Sequence, residues 1–149
     1  MNDFEQYTQD DIDILLASIK NMSSNIPKDI PIFGVEDKNF DLFDKKYLID
    51  YKFSYHRGRI EANRFTILIR FIQHPGHLVR LDVNSGTNHH NPDGSKVGKT
   101  HIHFYHSAPE AGINHDKIAS PLPKEFANCI DDLTSALETF MDTYVVQEN

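Results

Sequence analysis

Residues 77–106 read HLVRLDVNSGTNHHNPDGSKVGKTHIHFYH and carry six of the chain's nine histidines: His77, His89, His90, His101, His103 and His106. At the start of the stretch Val79, Leu81 and Val83 alternate with Arg80, Asp82 and Asn84. At its end Ile102 and Phe104 alternate with His101, His103 and Tyr105. A period of two is the mark of a strand with one face buried. Between these strands Ser85–Lys99 forms a polar loop, longer than a hairpin needs, and such loops tend to be functional. Asn91-Pro92-Asp93-Gly94 supplies a tight turn inside it, with Pro where φ is fixed and Gly where positive φ is tolerated.

Working outward, the same alternation continues upstream. Tyr47, Ile49, Tyr51, Phe53 and Tyr55 form one apolar set, and Phe65, Ile67, Ile69 and Phe71 another. Gly58 and His74-Pro75-Gly76 mark turns between them. A short strand near Asn39–Asp44 is a further candidate. Pairing in chain order predicts an antiparallel meander of four or five strands. Its polar face would display Lys52, Ser54, His56, Arg64, Thr66, Arg70, Arg80, Asp82, Asn84, His101, His103 and Tyr105.

Helices flank the strands. Ile12, Leu15, Leu16, Ile19 and Met22 recur at helical spacing, which predicts a helix over 8–22 with Thr8 or Asp10 as its cap. Phe126, Ile130, Leu133, Leu137, Phe140 and Tyr144 predict a second over 124–144. Both would lay an apolar stripe on the sheet, giving an α+β fold in a single domain, 1–149. The one cysteine, Cys129, forms no internal bridge and reads as an inert thiol beside the last apolar stripe. An acidic N-terminus without a continuous apolar core is unlike a signal peptide, and no segment matches a membrane span, so a cytoplasmic protein with no membrane partner is expected.

Charge is unevenly spread. Residues 1–50 carry 11 acids and 5 bases, 51–106 carry 3 and 8, and 107–149 carry 8 and 2, for a total of −7. A basic centre between acidic ends suits an anionic ligand at the centre, or an acidic surface such as Asp131, Asp132, Glu138 and Asp142 facing a basic partner. The plain alternative is that the three parts neutralise one another within one fold.

Two chemistries compete for the histidines. His101 and His103, two apart on a strand, project to one face and can chelate a metal. His89 and His90 can fold back toward them, and Asp82 on the neighbouring strand can act as a ligand or orient one. Zinc is the expected ion because imidazole suits it. Alternatively His101 and His103 serve as acid and base with Arg80 and Tyr105 on a phosphodiester. The basic sheet face is then a nucleic-acid surface.

The motif order RLDV (80–83), HNPDG (90–94), HIHFY (101–105) and ASPLP (119–123) resembles a family of small, largely uncharacterised proteins of bacteria, prophages and other mobile elements. Ile118 departs from that likeness, because family members often carry an aromatic before the alanine. The resemblance implies a genomic setting of toxins, antitoxins and inhibitors of host defence, anti-CRISPR proteins included. Two functions follow as expectations. One is a non-catalytic, zinc-binding inhibitor of a host defence nuclease, in the manner of an anti-CRISPR protein that binds a CRISPR effector. The other is a small toxin-type ribonuclease built on the same histidines. The first is favoured, and enzymatic activity is left open.

Overall fold

The computed structural model describes residues 7–73, 75–86, 88–105 and 118–149. His106 and most of the expected Ser107–Pro123 connection lie outside the described residues. The first helix, α1, spans Gln9–Ala17 and starts on a capping box. Thr8 Oγ1 accepts from the Asp11 amide at 3.1 Å while Asp11 Oδ2 accepts from the Thr8 amide at 2.9 Å. Ile12 and Leu15 are buried, but the backbone turns extended at Ser18, so the helix stops short of the expected 8–22 and Ile19 is left half-exposed. Residues Lys20–Met22 instead extend as strand β1.

The sheet is also larger than expected. After β1 come β2 (Glu36–Asp44), β3 (Ile49–Arg57), β4 (Phe65–Phe71) and β5 (His77–Val83). Then follow β6 (His89–His90), β7 (Lys96–Val97), β8 (His101–Phe104), β9 (Ser120–Pro121) and β10 (Val146–Gln147). Eight of these form one mixed sheet in the order β10-β1-β2-β3-β4-β5-β8-β9, in place of a four- or five-stranded meander. Only β10 runs parallel to its neighbour, pairing Val146 with Lys20, and β6 and β7 make a separate hairpin. The added edge strands are two or three residues long, too short to show an alternation.

The apolar alternation holds over most of its expected span, although Tyr47 falls in the turn before β3 and is exposed. Register aligns Phe53, Ile69, Val79 and Phe104 in one row, and Tyr55, Ile67, Leu81 and Ile102 in the next. Both helices contribute to this core. The second, α2, is Leu133–Thr143 rather than 124–144. Residues Lys124–Phe126 form a 3-10 turn, and the chain is extended at Asp132 before α2 begins. Asp132 Oδ1 accepts from the Ser135 amide at 2.8 Å, so this acid caps the helix and is not a free part of its outer face. Phe140 stacks on Phe53 with centroids 5.9 Å apart.

Lys20 joins the helix ends. It is fully buried, and its Nζ donates to Leu16 O (3.2 Å), Ser18 O (2.8 Å) and Tyr144 O (2.7 Å). Those carbonyls lie at the C-terminal ends of both helices, where a cation offsets the helix dipole. Burial pulls the ammonium down to about 8, against the opposing pull of the Asp44 carboxylate.

The acidic and basic parts of the chain partly neutralise each other across β2 and β3. Asp41 Oδ1 meets Lys52 Nζ at 2.6 Å, and Asp37 lies 3.8 Å from His56. Both contacts are exposed, so they contribute little to stability. They do, however, occupy part of the basic face that the sequence presents as open.

Candidate metal centre

The register that builds the core also builds the site on the opposite face. There Thr66, Asp82 and His101 form one cross-strand row, and Leu68, Arg80 and His103 the next. Asp82 therefore lies opposite His101 and diagonal to His103. Its Oδ2 is 3.3 Å from His101 Nε2 and 3.3 Å from His103 Nε2. Its Oδ1 accepts from Thr66 Oγ1 at 2.9 Å and Arg80 Nε at 3.0 Å. All three of Asp82, His101 and His103 are buried.

The far side of each imidazole is also engaged. His101 Nδ1 meets Gly98 O at 2.8 Å, and His103 Nδ1 meets Ile118 O at 3.0 Å. A carbonyl only accepts, so each Nδ1 carries the hydrogen. In the neutral ring Nε2 is then a bare lone pair aimed at Asp82. Burial on its own would push the Asp82 carboxyl up. A hydrogen bond donated by His103 when its ring carries a second proton, the Arg80 guanidinium and the Thr66 hydroxyl outweigh it and hold the group well below the usual carboxylate range. Three acceptors thus converge, and such a cluster calls for a cation among them, a proton or a metal ion.

His89 closes the site from above. Its ring centroid is 5.3 Å from that of His101 and 5.1 Å from that of His103. Ligand nitrogens of His89, His101 and His103 all lie within 4.8 Å of one another, close enough to hold a metal ion. The β6–β7 register decides between the two loop histidines. His89 pairs with Val97, which is buried, whereas His90 pairs with exposed Lys96. Adjacent strand residues point to opposite faces, so His90 stays outside the close histidine set, although it borders the same cavity of about 310 Å³.

Tyr105 does not join the polar face. The chain leaves the strand after Phe104, and Tyr105 turns into the core, edge-on to Phe71 at 5.7 Å and to Tyr7 at 6.0 Å. Arg80 does reach the site, through Asp82.

Asn91 does more than make a turn. Its Nδ2 donates to Ala119 O at 2.9 Å, and its Oδ1 accepts from the Ala119 amide at 2.7 Å. This side chain mimics a strand partner and ties the loop to the segment whose Ile118 carbonyl orients His103. The carbonyls of Gly98 and Ile118 leave no trace in a sequence, because every residue has one. Asn91 carried a signal, but it read as turn chemistry.

Over residues 7–146 the chain matches a family of unknown function, DUF6978. The chain belongs to this family. No curated protein and no solved structure matches it. All four runs quoted above lie inside the DUF6978 region. Each supplies one part of the centre: Arg80 and Asp82, then Asn91, then His101 and His103, then Ala119 and the β9 strand beside β8. Among the described residues, no helix is long and apolar enough to cross a membrane.

Proposed function

We propose that this protein binds one zinc ion through His89, His101 and His103, with Asp82 beside His101 and His103 to ligate or to orient. The observation that carries the proposal is the convergence of one ring nitrogen from each of His89, His101 and His103 to within 4.8 Å of one another. The Nδ1–carbonyl contacts supply the outer hydrogen bonds that orient metal-bound imidazoles. When bound, the ion supplies the positive charge that the three acceptors lack, and it joins the β6–β7 hairpin to β5 and β8.

This reading favours binding over acid–base chemistry by the histidines. His101 and His103 are buried, each Nδ1 is held by a backbone carbonyl and each Nε2 is turned toward Asp82, an arrangement that suits ligation. A non-catalytic inhibitor of a host defence nuclease, with zinc stiffening the loop that meets the partner, is the role we attach to the centre. That part rests on the resemblance to mobile-element proteins. Metal analysis of purified, untagged protein tests the centre: one equivalent of zinc is expected, lost in His101→Ala and His103→Ala. Protein that takes up no zinc, and melts at the same temperature with and without a chelator, would refute it.

A further inference from the structure

The polar face holds a second cavity, beside the histidine centre. It is a cleft of about 480 Å³, bordered by Arg59, Ile60, Arg64, Arg80 and Asp82. It shares Arg80, Asp82 and Ser85 with the smaller cavity over the histidines. Its volume is that of a small-molecule site.

Three arginines, Arg59, Arg64 and Arg80, line this cleft together with Glu61 and Asp82, and they are only partly neutralised. Arg80 is engaged with Asp82 through Nε, which leaves its terminal nitrogens for another acceptor. Arg64 Nη2 has a half-exposed carboxylate, Glu61, at 3.3 Å. Arg59 has no acidic partner among the described residues. Arg64 is also held in place. Gly86 has φ +97°, and a Cβ there would lie 3.3 Å from Arg64 Nη2 and 3.5 Å from Cζ, so the guanidinium packs on the bare glycine backbone. At the rim Ile60 is 93% exposed, an apolar side chain beside a cationic cleft.

We propose that this cleft binds a phosphate monoester. The phosphoryl dianion lies among Arg59, Arg64 and the free end of Arg80, and the organic group lies against Ile60. Several converging guanidiniums suit the oxygens of a phosphoryl group, which accept paired N–H donors. The proposal rests on the zinc reading in one respect: an ion at the shared Asp82 wall adds positive charge to that end of the cleft.

Calorimetric titration with phenyl phosphate and with inorganic phosphate tests it, with zinc content measured on the same samples. Phenyl phosphate should bind, and more tightly than inorganic phosphate. Arg59→Ala and Arg64→Ala should each weaken it by about tenfold or more, the loss expected for a hydrogen bond to a charged group, with zinc content unchanged. Ile60→Ser should weaken phenyl phosphate alone. Zinc-loaded protein that binds no phenyl phosphate, or arginine variants that bind as tightly as the parent, would overturn the proposal. So would a single-stranded oligonucleotide that displaces phenyl phosphate at far lower concentration. Protein that holds no zinc yet binds phenyl phosphate with the arginine dependence would refute the metal centre and support the cleft.

Discussion

Asp82→Asn separates a metal centre from a set of buried histidines that merely pair with an acid. In the metal-free protein the change removes a charge but not a shape. The Asn amide can donate to one of the bare Nε2 atoms, which relieves the convergence of acceptors around Oδ2. What is lost is the charge-assisted bond to Arg80, itself partly exposed, so the cost without metal should be modest, about 1–2 kcal/mol. With zinc the outcome reverses. At free zinc about 1,000 times the dissociation constant, binding stabilises the native chain by about 4 kcal/mol. Loss of a group that ligates or orients lowers affinity by about 100-fold, which at the same zinc concentration leaves about 1.4 kcal/mol. For a chain of this size each kcal/mol moves the melting temperature by about 2–4 °C. The zinc-induced shift should therefore fall from about 8–16 °C to about 3–6 °C. Thermal melts in buffered zinc and in chelator measure both halves. An Asp82→Asn protein with an undiminished zinc shift would refute the argument. So would a loss beyond about 3 kcal/mol in chelator, the scale of a broken buried ion pair, because Asp82 would then be neutralising protonated imidazoles.

Three further outcomes are expected. Lys20→Met leaves three helix-end carbonyls without their shared donor and should lower stability by about 3 kcal/mol; a denaturant midpoint equal to the parent's would count against Lys20 as the link between the helix ends. Asn91→Ala breaks both bonds to Ala119 and should raise amide exchange in the β6–β7 hairpin and β9 while leaving β3 and β4 protected; uniform protection across the sheet would dispose of this. Burial first of all raises the Tyr51 and Tyr144 hydroxyls above their usual range, with Asp44 and Tyr7 adding to the first and Glu125 to the second. Because the folded chain keeps those protons after the unfolded chain has released them, their contribution is present below about pH 10 and declines above it, by about 1.4 kcal/mol per pH unit for each. Tyr51→Phe should flatten that alkaline decline in a denaturant series, and a slope equal to the parent's would remove Tyr51 from the account.

The strands that build the site were legible because half-buried strands write their pairing into a period of two. Tyr51, Phe53 and Tyr55 pointed to one face of β3, and Ile67 and Ile69 to one face of β4. His101 and His103 fell on the face opposite Ile102, where the structure places them. Helix ends were read less well. The stripe from Ile12 to Met22 matched a helix, yet Lys20–Met22 gain strand bonds to β2 and β10. A partner at Val146 cannot be read from a local window. Likewise the acid of Asp132 read as surface charge, although it caps α2.

By itself the sequence determined an α+β chain, the face on which Asp82, His101 and His103 sit, and a histidine-bearing loop between β5 and β8. Only the tertiary structure decided the rest. It chose His89 over His90, because the buried face of the β6–β7 hairpin admits one of two adjacent side chains. It sent Tyr105 into the core, because alternation ends where the strand ends. It also set backbone carbonyls from Gly98 and Ile118 against the two imidazoles and so turned both Nε2 atoms toward one carboxylate oxygen. Residue type and spacing say which face a side chain occupies. Which atom of that side chain points inward depends on its hydrogen-bond partners, and here those partners come from elsewhere in the fold.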